Sequence, residues 1–217
     1  MDTQYYKLPK IFPHLSNVDD YEKIKIDVDS YKYITSKEVA NLITKICCKH
    51  LLLINKNPLK SNIMDYTAGV GGNVLSFSNY FQSVIAVEIN VERYHFLLNN
   101  IGVYNCNNIT CINDNAVEYN KKNVNIIKPD IIFIDIPWGS LWNKSTINYR
   151  VGFDIYDNFE DFIIDIFNIY ISSNDKLVIL KLPKNYDIKF LYNYITQKYK
   201  LKFYLYILHK MIILVIK

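Results

Sequence analysis

Asn62-Ile-Met-Asp-Tyr-Thr-Ala-Gly-Val-Gly-Gly-Asn73 is the stretch that decides the fold. Its first part, Asn62–Tyr66, is a short apolar run whose length and composition predict a strand. Gly69-Val70-Gly71-Gly72 follows, a turn in which glycine lets the backbone bend tightly and approach a ligand without a Cβ in the way. A helix is predicted to open near Gly72. Downstream the alternation repeats. Further strands are predicted at Ser83–Val87, Ile109–Ile112, Ile131–Ile134, Leu177–Leu182, Leu201–Ile207 and Met211–Ile216, with helices starting near Val91, Asn115, Asn158 and Asp187. Strand-helix alternation predicts an α/β fold, a mostly parallel, Rossmann-like sheet of seven strands with helices on both faces. Only Leu208, His209 and Lys210 join the last two strands, too short a link for a parallel crossover, so these two form an antiparallel hairpin. Upstream, Thr35-Ser36-Lys37-Glu38 has the form of a capping box before a helix that runs to about Leu53. Residues 1–34 are the least regular part. The expected organisation is a short N-terminal extension, 1–34, and one catalytic-sized domain, 35–217.

Composition narrows the function classes. The chain has 217 residues and is 50% hydrophobic, enough for a sizeable core. Its 25 Lys and Arg against 21 Asp and Glu permit an anionic substrate without demanding one. Cys47, Cys48, Cys106 and Cys111 form no Cys-x-x-Cys pair and lie far in sequence from the four histidines, so no metal site is expected. The N-terminus carries no apolar signal-peptide core, and the apolar run Met211–Ile216 is strand-sized. These features predict an intracellular protein, cytoplasmic or nuclear, monomeric, with no membrane partner.

The glycine turn does not suit a dinucleotide. That fingerprint needs a third glycine where this chain has Val74. S-adenosylmethionine carries no phosphate; it needs room for a methionine tail and an acceptor for its ammonium, which Asp65 at the strand end can supply. Glu88 ends the next predicted strand, where a carboxylate accepts from ribose hydroxyls. Asn113-Asp114-Asn115 follows the third, with Asp114 placed to accept from the adenine amine. The glycines alone fit a plain tight turn equally well. Acidic residues at successive strand ends favour a ligand site, because ligands of open α/β sheets bind outside the carboxyl ends of the strands. The candidate cofactor residues are Asp65, Thr67, Gly69, Gly71, Asn73, Glu88, Asp114, Asn115 and Asp135. By analogy, a parallel sheet ending in one antiparallel hairpin is the arrangement of class I methyltransferases.

The fourth predicted strand runs into Asp135-Ile136-Pro137-Trp138. Amine-directed nucleic-acid methyltransferases carry Asn/Asp/Ser-Pro-Pro-Tyr/Phe/Trp at this place. The lone pair of an exocyclic amine is delocalised into its ring. Accepting its N–H bonds returns electron density to nitrogen, and an aromatic ring holds the base by stacking. Here Ile136 replaces the first proline; its carbonyl remains, and Pro137 restricts Ile136 to an extended backbone. Either residue alone reads more simply, Trp138 as core and Asp135 as a turn former. Together they make Asp135, Ile136, Pro137 and Trp138 the candidate catalytic residues. A carboxylate accepts from both N1–H and N2–H of guanine, whereas adenine N1 would repel it. Tryptophan is the best cation–π partner, and 7-methylguanine is a cation.

These motifs resemble the trimethylguanosine synthase family, which methylates N2 of the 7-methylguanosine cap. The family pattern Asp-x-x-x-Gly-x-Gly-Gly-Asn is matched in full by Asp65–Asn73. Its Pro-Pro-Trp-Gly-Gly is matched by Ile136–Gly139 except at the first proline, and Ser140 replaces the last glycine. Leu182-Pro-Lys-Asn185 is similar to its Leu-Pro-Arg-Asn, and Tyr31–Glu38 is a looser version of its Trp-Phe-Ser-Val-Thr-Pro-Glu. The resemblance implies that S-adenosylmethionine is the cofactor and that capped RNA or a cap nucleotide is the partner. It also implies that Trp138 stacks on the methylated base and Lys184 meets the cap phosphates. Tyr33 and Arg150 are further substrate candidates, and Phe12, Tyr31 and Tyr33 of the extension would pack on adenine or cap. Against packing on a ligand stands plain packing on the sheet edge. Against a phosphate contact for Lys181 or Lys184 stands an ordinary solvated lysine. Alternatives are an rRNA or tRNA base methyltransferase, acting on guanine N2 or adenine N6, and a catalytically inactive cap-binding subunit.

Overall fold

The structure, a computed structural model, describes residues 7–123, 128–138, 159–170 and 175–217. Arg150, together with Lys144, Trp142 and Tyr149, lies outside the described residues. The chain divides into two compact units, Met1–Ala116 and Val117–Lys217.

In the first unit, β1 (Asn62–Asp65) pairs in parallel with β2 (Ser83–Val87), and β2 with β3 (Ile109–Ile112). Ile63, Met64, Val84 and Ala86 are fully buried, as a strand covered on both faces requires. Helix α3 (Lys37–Leu52) buries one stripe, Ala40, Ile43, Thr44, Ile46, Cys47, His50 and Leu51. The short α4 (Val74–Phe77) follows the glycine turn, and α5 (Val91–Val103) is capped by Asn90, which accepts from Arg93 N.

Two expectations are corrected here. The capping box does not form: the N-cap of α3 is Ser36, with no side-chain cap bond, and the Thr35 hydroxyl instead accepts from Asn73 Nδ2 at 3.2 Å. The segment before α3 is also more regular than its composition suggests. It holds α1 (Leu8–Ile11), a 3-10 turn (Val18–Lys23) and α2 (Val28–Tyr33), the last capped by Asp27, which accepts from Asp29 N and Ser30 N. Leu8, Phe12, Leu15, Tyr21 and Ile24 form a buried cluster with Val70 and Leu75. Phe12, 0% exposed, is therefore a core residue of that cluster.

The second unit contains β4 (Ile131–Ile134), β5 (Leu177–Pro183), β6 (Phe203–Ile207) and β7 (Met211–Ile216). β4 and β5 are parallel; β5–β7 and β6–β7 are antiparallel. The expected hairpin is present, its turn closed by Leu208 N donating to Met211 O at 2.9 Å. Helix α6 (Ala116–Asn123) begins at the boundary; α7 (Phe159–Tyr170) and α8 (Ile188–Thr196) follow, α8 capped by Asp187. The seven strands form a mixed sheet, mostly parallel with the C-terminal hairpin antiparallel. Among the described residues no helix is long and apolar enough to cross a membrane, and no group of His, Cys, Asp and Glu is arranged to hold a metal.

Candidate active site

In the first unit the glycine turn is held by its neighbours. Ala68 N donates to Val87 O at 2.9 Å, which fixes the loop to the end of β2. Asp65 is fully buried at the end of β1; its Oδ1 accepts from Thr67 N at 2.9 Å and from Thr67 Oγ1 at 3.3 Å. Gly69 and Gly71 have φ of +55° and +106°, a region that side-chain-bearing residues rarely adopt. Space is open around a Cβ placed on Gly69, whereas one on Gly71 would meet Leu97 Cδ1 at 3.1 Å. Gly72 differs. A Cβ there would lie 2.7 Å from Ile34 Cγ1 and 3.0 Å from Thr35 O, so this glycine makes room for protein, not for a ligand.

Glu88, at the end of β2, is 7% exposed. Its Oε2 accepts from Gly69 N at 2.7 Å and its Oε1 from Asn90 N at 2.9 Å. One carboxylate thus joins the glycine turn to the start of α5. With about four acceptor sites, it keeps capacity for ribose hydroxyls. Asp114 is half-buried, its Oδ1 accepting from Asn115 N at 2.8 Å. Asn73 is buried, and its Oδ1 has no hydrogen-bond partner among the described residues. An orphan acceptor of this kind is costly unless a ligand donor meets it. Together with the open space at Gly69, it makes the cradle fit S-adenosylmethionine, whose ammonium is such a donor.

Two residues, Asn100 and Ile89, escaped the sequence reading, and Asn113 makes a tie that its motif did not show. Asn113 Nδ2 donates to the carbonyls of Glu88 and Ile89, tying the end of β3 to that of β2. Asn100, 0% exposed, accepts from Lys25 N at 2.8 Å and donates to Lys25 O and Val70 O, both at 2.9 Å. It holds the N-terminal segment to the glycine turn. Ile89, 63% exposed, presents apolar surface beside Glu88. A helical Asn and an exposed Ile carry no sequence signal of such roles.

In the second unit, fully buried β4 delivers Asp135-Ile136-Pro137-Trp138. Ile134 pairs with Leu180 in the parallel register of β4 and β5, so Asp135 comes alongside Lys181. Lys181 is 3% exposed, and its Nζ donates to Asp135 Oδ2 at 2.5 Å. The same Nζ lies 5.1 Å from the ring centroid of Trp138, and Trp138 Nε1 donates to Lys181 O at 3.3 Å. The solvated-lysine reading is thereby corrected for Lys181: strand register puts it inside, against a carboxylate. Burial pushes the Asp135 carboxyl above its ordinary range, and the charge and hydrogen bond of Lys181 oppose that shift. Ile136 is buried, 1% exposed, where an aliphatic chain packs well; Pro137 is exposed and Trp138 half-buried. Lys184 and Tyr33 are exposed.

A family model described as RNA cap guanine-N2 methyltransferase matches residues 60–211. The chain belongs to the RNA cap guanine-N2 methyltransferase family. A relative within reach by sequence is Uncharacterized protein L320 of Acanthamoeba polyphaga mimivirus, 36% identical over 225 residues, covering 95% of this chain and 84% of that protein. Among solved structures, precorrin-6y C5,15-methyltransferase from Geobacter metallireducens GS-15 is similar with a TM-score of 0.57 at 15% identity, covering 91% of this chain and 94% of that one. An rRNA methylase from Streptococcus thermophilus is similar with a TM-score of 0.53 at 10% identity, covering 79% and 95%. These structural likenesses show the class I methyltransferase fold, which implies the use of S-adenosylmethionine. The family makes this chain a methyltransferase.

Proposed function

We propose that the chain transfers a methyl group to N2 of the 7-methylguanosine cap of RNA. The observation that carries this reading is the acceptor motif at the end of β4, where a half-buried carboxylate and an indole ring are held by one buried lysine in a chain of this family. S-adenosylmethionine, when bound, supplies a methyl group on a sulfonium. Asp65, Thr67, Gly69, Gly71, Asn73, Glu88, Asp114 and Asn115 would hold it. Asp65 is assigned to the ammonium, with Asn73 Oδ1 as a further acceptor, Glu88 to the ribose and Asp114 to the adenine amine.

Asp135 accepts from guanine N1–H and N2–H, which raises electron density on the amine and aims it. The Ile136 carbonyl is the second acceptor, and Pro137 keeps that carbonyl extended. Trp138 stacks on the base, favouring a cationic ring. Exposed Lys184 and Tyr33, together with Arg150, are assigned to the rest of the cap. Catalysis on this reading is positioning, which supplies several kcal/mol of barrier reduction in well-oriented sites.

The test is transfer from labelled S-adenosylmethionine to 7-methyl-GTP, GTP and uncapped RNA in parallel. Transfer to 7-methyl-GTP alone supports the proposal. Equal transfer to GTP removes the cation–π argument, and transfer only to uncapped RNA replaces the cap with a base inside RNA.

A further inference from the structure

Lys181 sits where a charged side chain is hardest to place. It lies inside the sheet between β4 and β7, level with Asp135 on one side and paired with Ile213 on the other. Removing a lysine from water costs several kcal/mol unless its charge is matched. Its partner is the carboxylate assigned to the acceptor amine, and its ammonium also rests over the ring assigned to the base. Its own carbonyl takes the indole N–H. One residue thus reaches both chemical ends of Asp135-Ile136-Pro137-Trp138. It is a charged group set directly against Asp135.

We propose that Lys181 is the positioning residue of the acceptor site: its ammonium holds Asp135 as an oriented carboxylate, while its main-chain carbonyl, which a substitution leaves in place, anchors the Trp138 indole. The proposal rests on the roles given above to Asp135 and Trp138. Three consequences separate it from simple packing. Lys181 acts through Asp135, so its loss should matter little once Asp135 no longer needs a counter-ion. Its loss should lower kcat, because a misaimed amine reacts slowly at saturation. It should also move the acidic limb of the rate profile upward, since burial raises the Asp135 carboxyl and the ammonium opposes it.

The experiment is a double-mutant cycle of Lys181→Met and Asp135→Asn, run on whichever acceptor the wild-type enzyme methylates. An acceptor other than the cap then counts against the proposed function alone. Lys181→Met is expected to bind S-adenosylmethionine as the wild type does, to lose about 100-fold in kcat, and to shift its acidic limb to higher pH. Lys181→Met/Asp135→Asn is expected to be at least as active as Asp135→Asn alone and to lack that limb. If Lys181→Met does not fold, the comparison of the double variant with Asp135→Asn still decides. A double variant far less active than Asp135→Asn overturns the proposal, because Lys181 would then act elsewhere. Unchanged kcat and pH profile in folded Lys181→Met overturn it too.

Discussion

Replacing Gly72 by alanine tests which glycines of the turn serve the protein and which serve a ligand. Gly72 does not use the left-handed region, so strain of that kind plays no part. The new Cβ would sit 2.7 Å from Ile34 Cγ1 and 3.0 Å from Thr35 O. Carbon atoms in contact prefer about 3.5–4.0 Å. The segment that leads into α3 must therefore move away, and with it Thr35, whose hydroxyl holds Asn73. Adding a methyl to a packed site costs about 1–3 kcal/mol. In a chain of this length each kcal/mol lowers Tm by about 2–4 °C, so Gly72→Ala should melt about 2–12 °C lower. Gly69→Ala is the contrast. Its Cβ meets open space, and only the positive φ is penalised, at about 1–2 kcal/mol. Its main effect should be on the affinity for S-adenosylmethionine, because the Cβ occupies the space assigned to the cofactor. Thermal melting without ligand and calorimetric titration with S-adenosylmethionine read the two effects separately. Adding Ile34→Ala to Gly72→Ala should cost less than the sum of the two changes, since it removes the atom that clashes. Normal melting with lost cofactor affinity in Gly72→Ala would refute this division of roles.

Trp138→Ala should lower kcat/KM for 7-methyl-GTP by roughly 10- to 100-fold, the worth of one base-stacking platform; full activity in steady-state assays would remove Trp138 from the site. Asn100→Ala leaves Lys25 N, Lys25 O and Val70 O without their side-chain partner. Chemical denaturation should show a loss of about 2–4 kcal/mol, and a loss below about 0.5 kcal/mol would mean that water replaces the amide. Asp27 gives a pH dependence of defined sign. Burial pushes its carboxyl up, but Ser30 and Arg93 outweigh this and take it from its ordinary 3.8 down to about 2. A depressed carboxyl contributes stability above its unfolded value and loses it as pH falls through the folded one. The stability gap between wild type and Arg93→Met should be full near neutrality and close as pH falls from 3.8 toward 2. A gap that stays constant across that range assigns Arg93 a role other than this pair.

Element by element, the architecture was legible in the chain because its signals are local. Ser83–Val87, Ile109–Ile112, Ile131–Ile134 and Met211–Ile216 form strands with the bounds that their apolar runs predict. The three-residue link 208–210 dictates the antiparallel hairpin by length alone. The glycine pattern and Asp135–Trp138 were also legible, since backbone freedom and side-chain chemistry are properties of the residue itself. Packing between distant segments was not. Thr35 looked like a cap until Asn73 was seen to take its hydroxyl. Phe12 stood open between packing on a ligand and packing on protein, and the cluster that closes around it decides for protein.

The chain by itself determined the strand-turn-helix cradle, the acidic residues that end β1 and β2, and the acceptor motif after β4. Tertiary structure alone decided what supports them. Asp135 and Lys181 stand far apart in sequence, and they meet because β4 and β5 run parallel in one register, with Ile134 beside Leu180. Register is a property of two strands together, and a one-residue slip would turn every side chain to the other face. No single strand carries it, so the lysine that looked like one of many proved to be the buried partner of the candidate catalytic carboxylate.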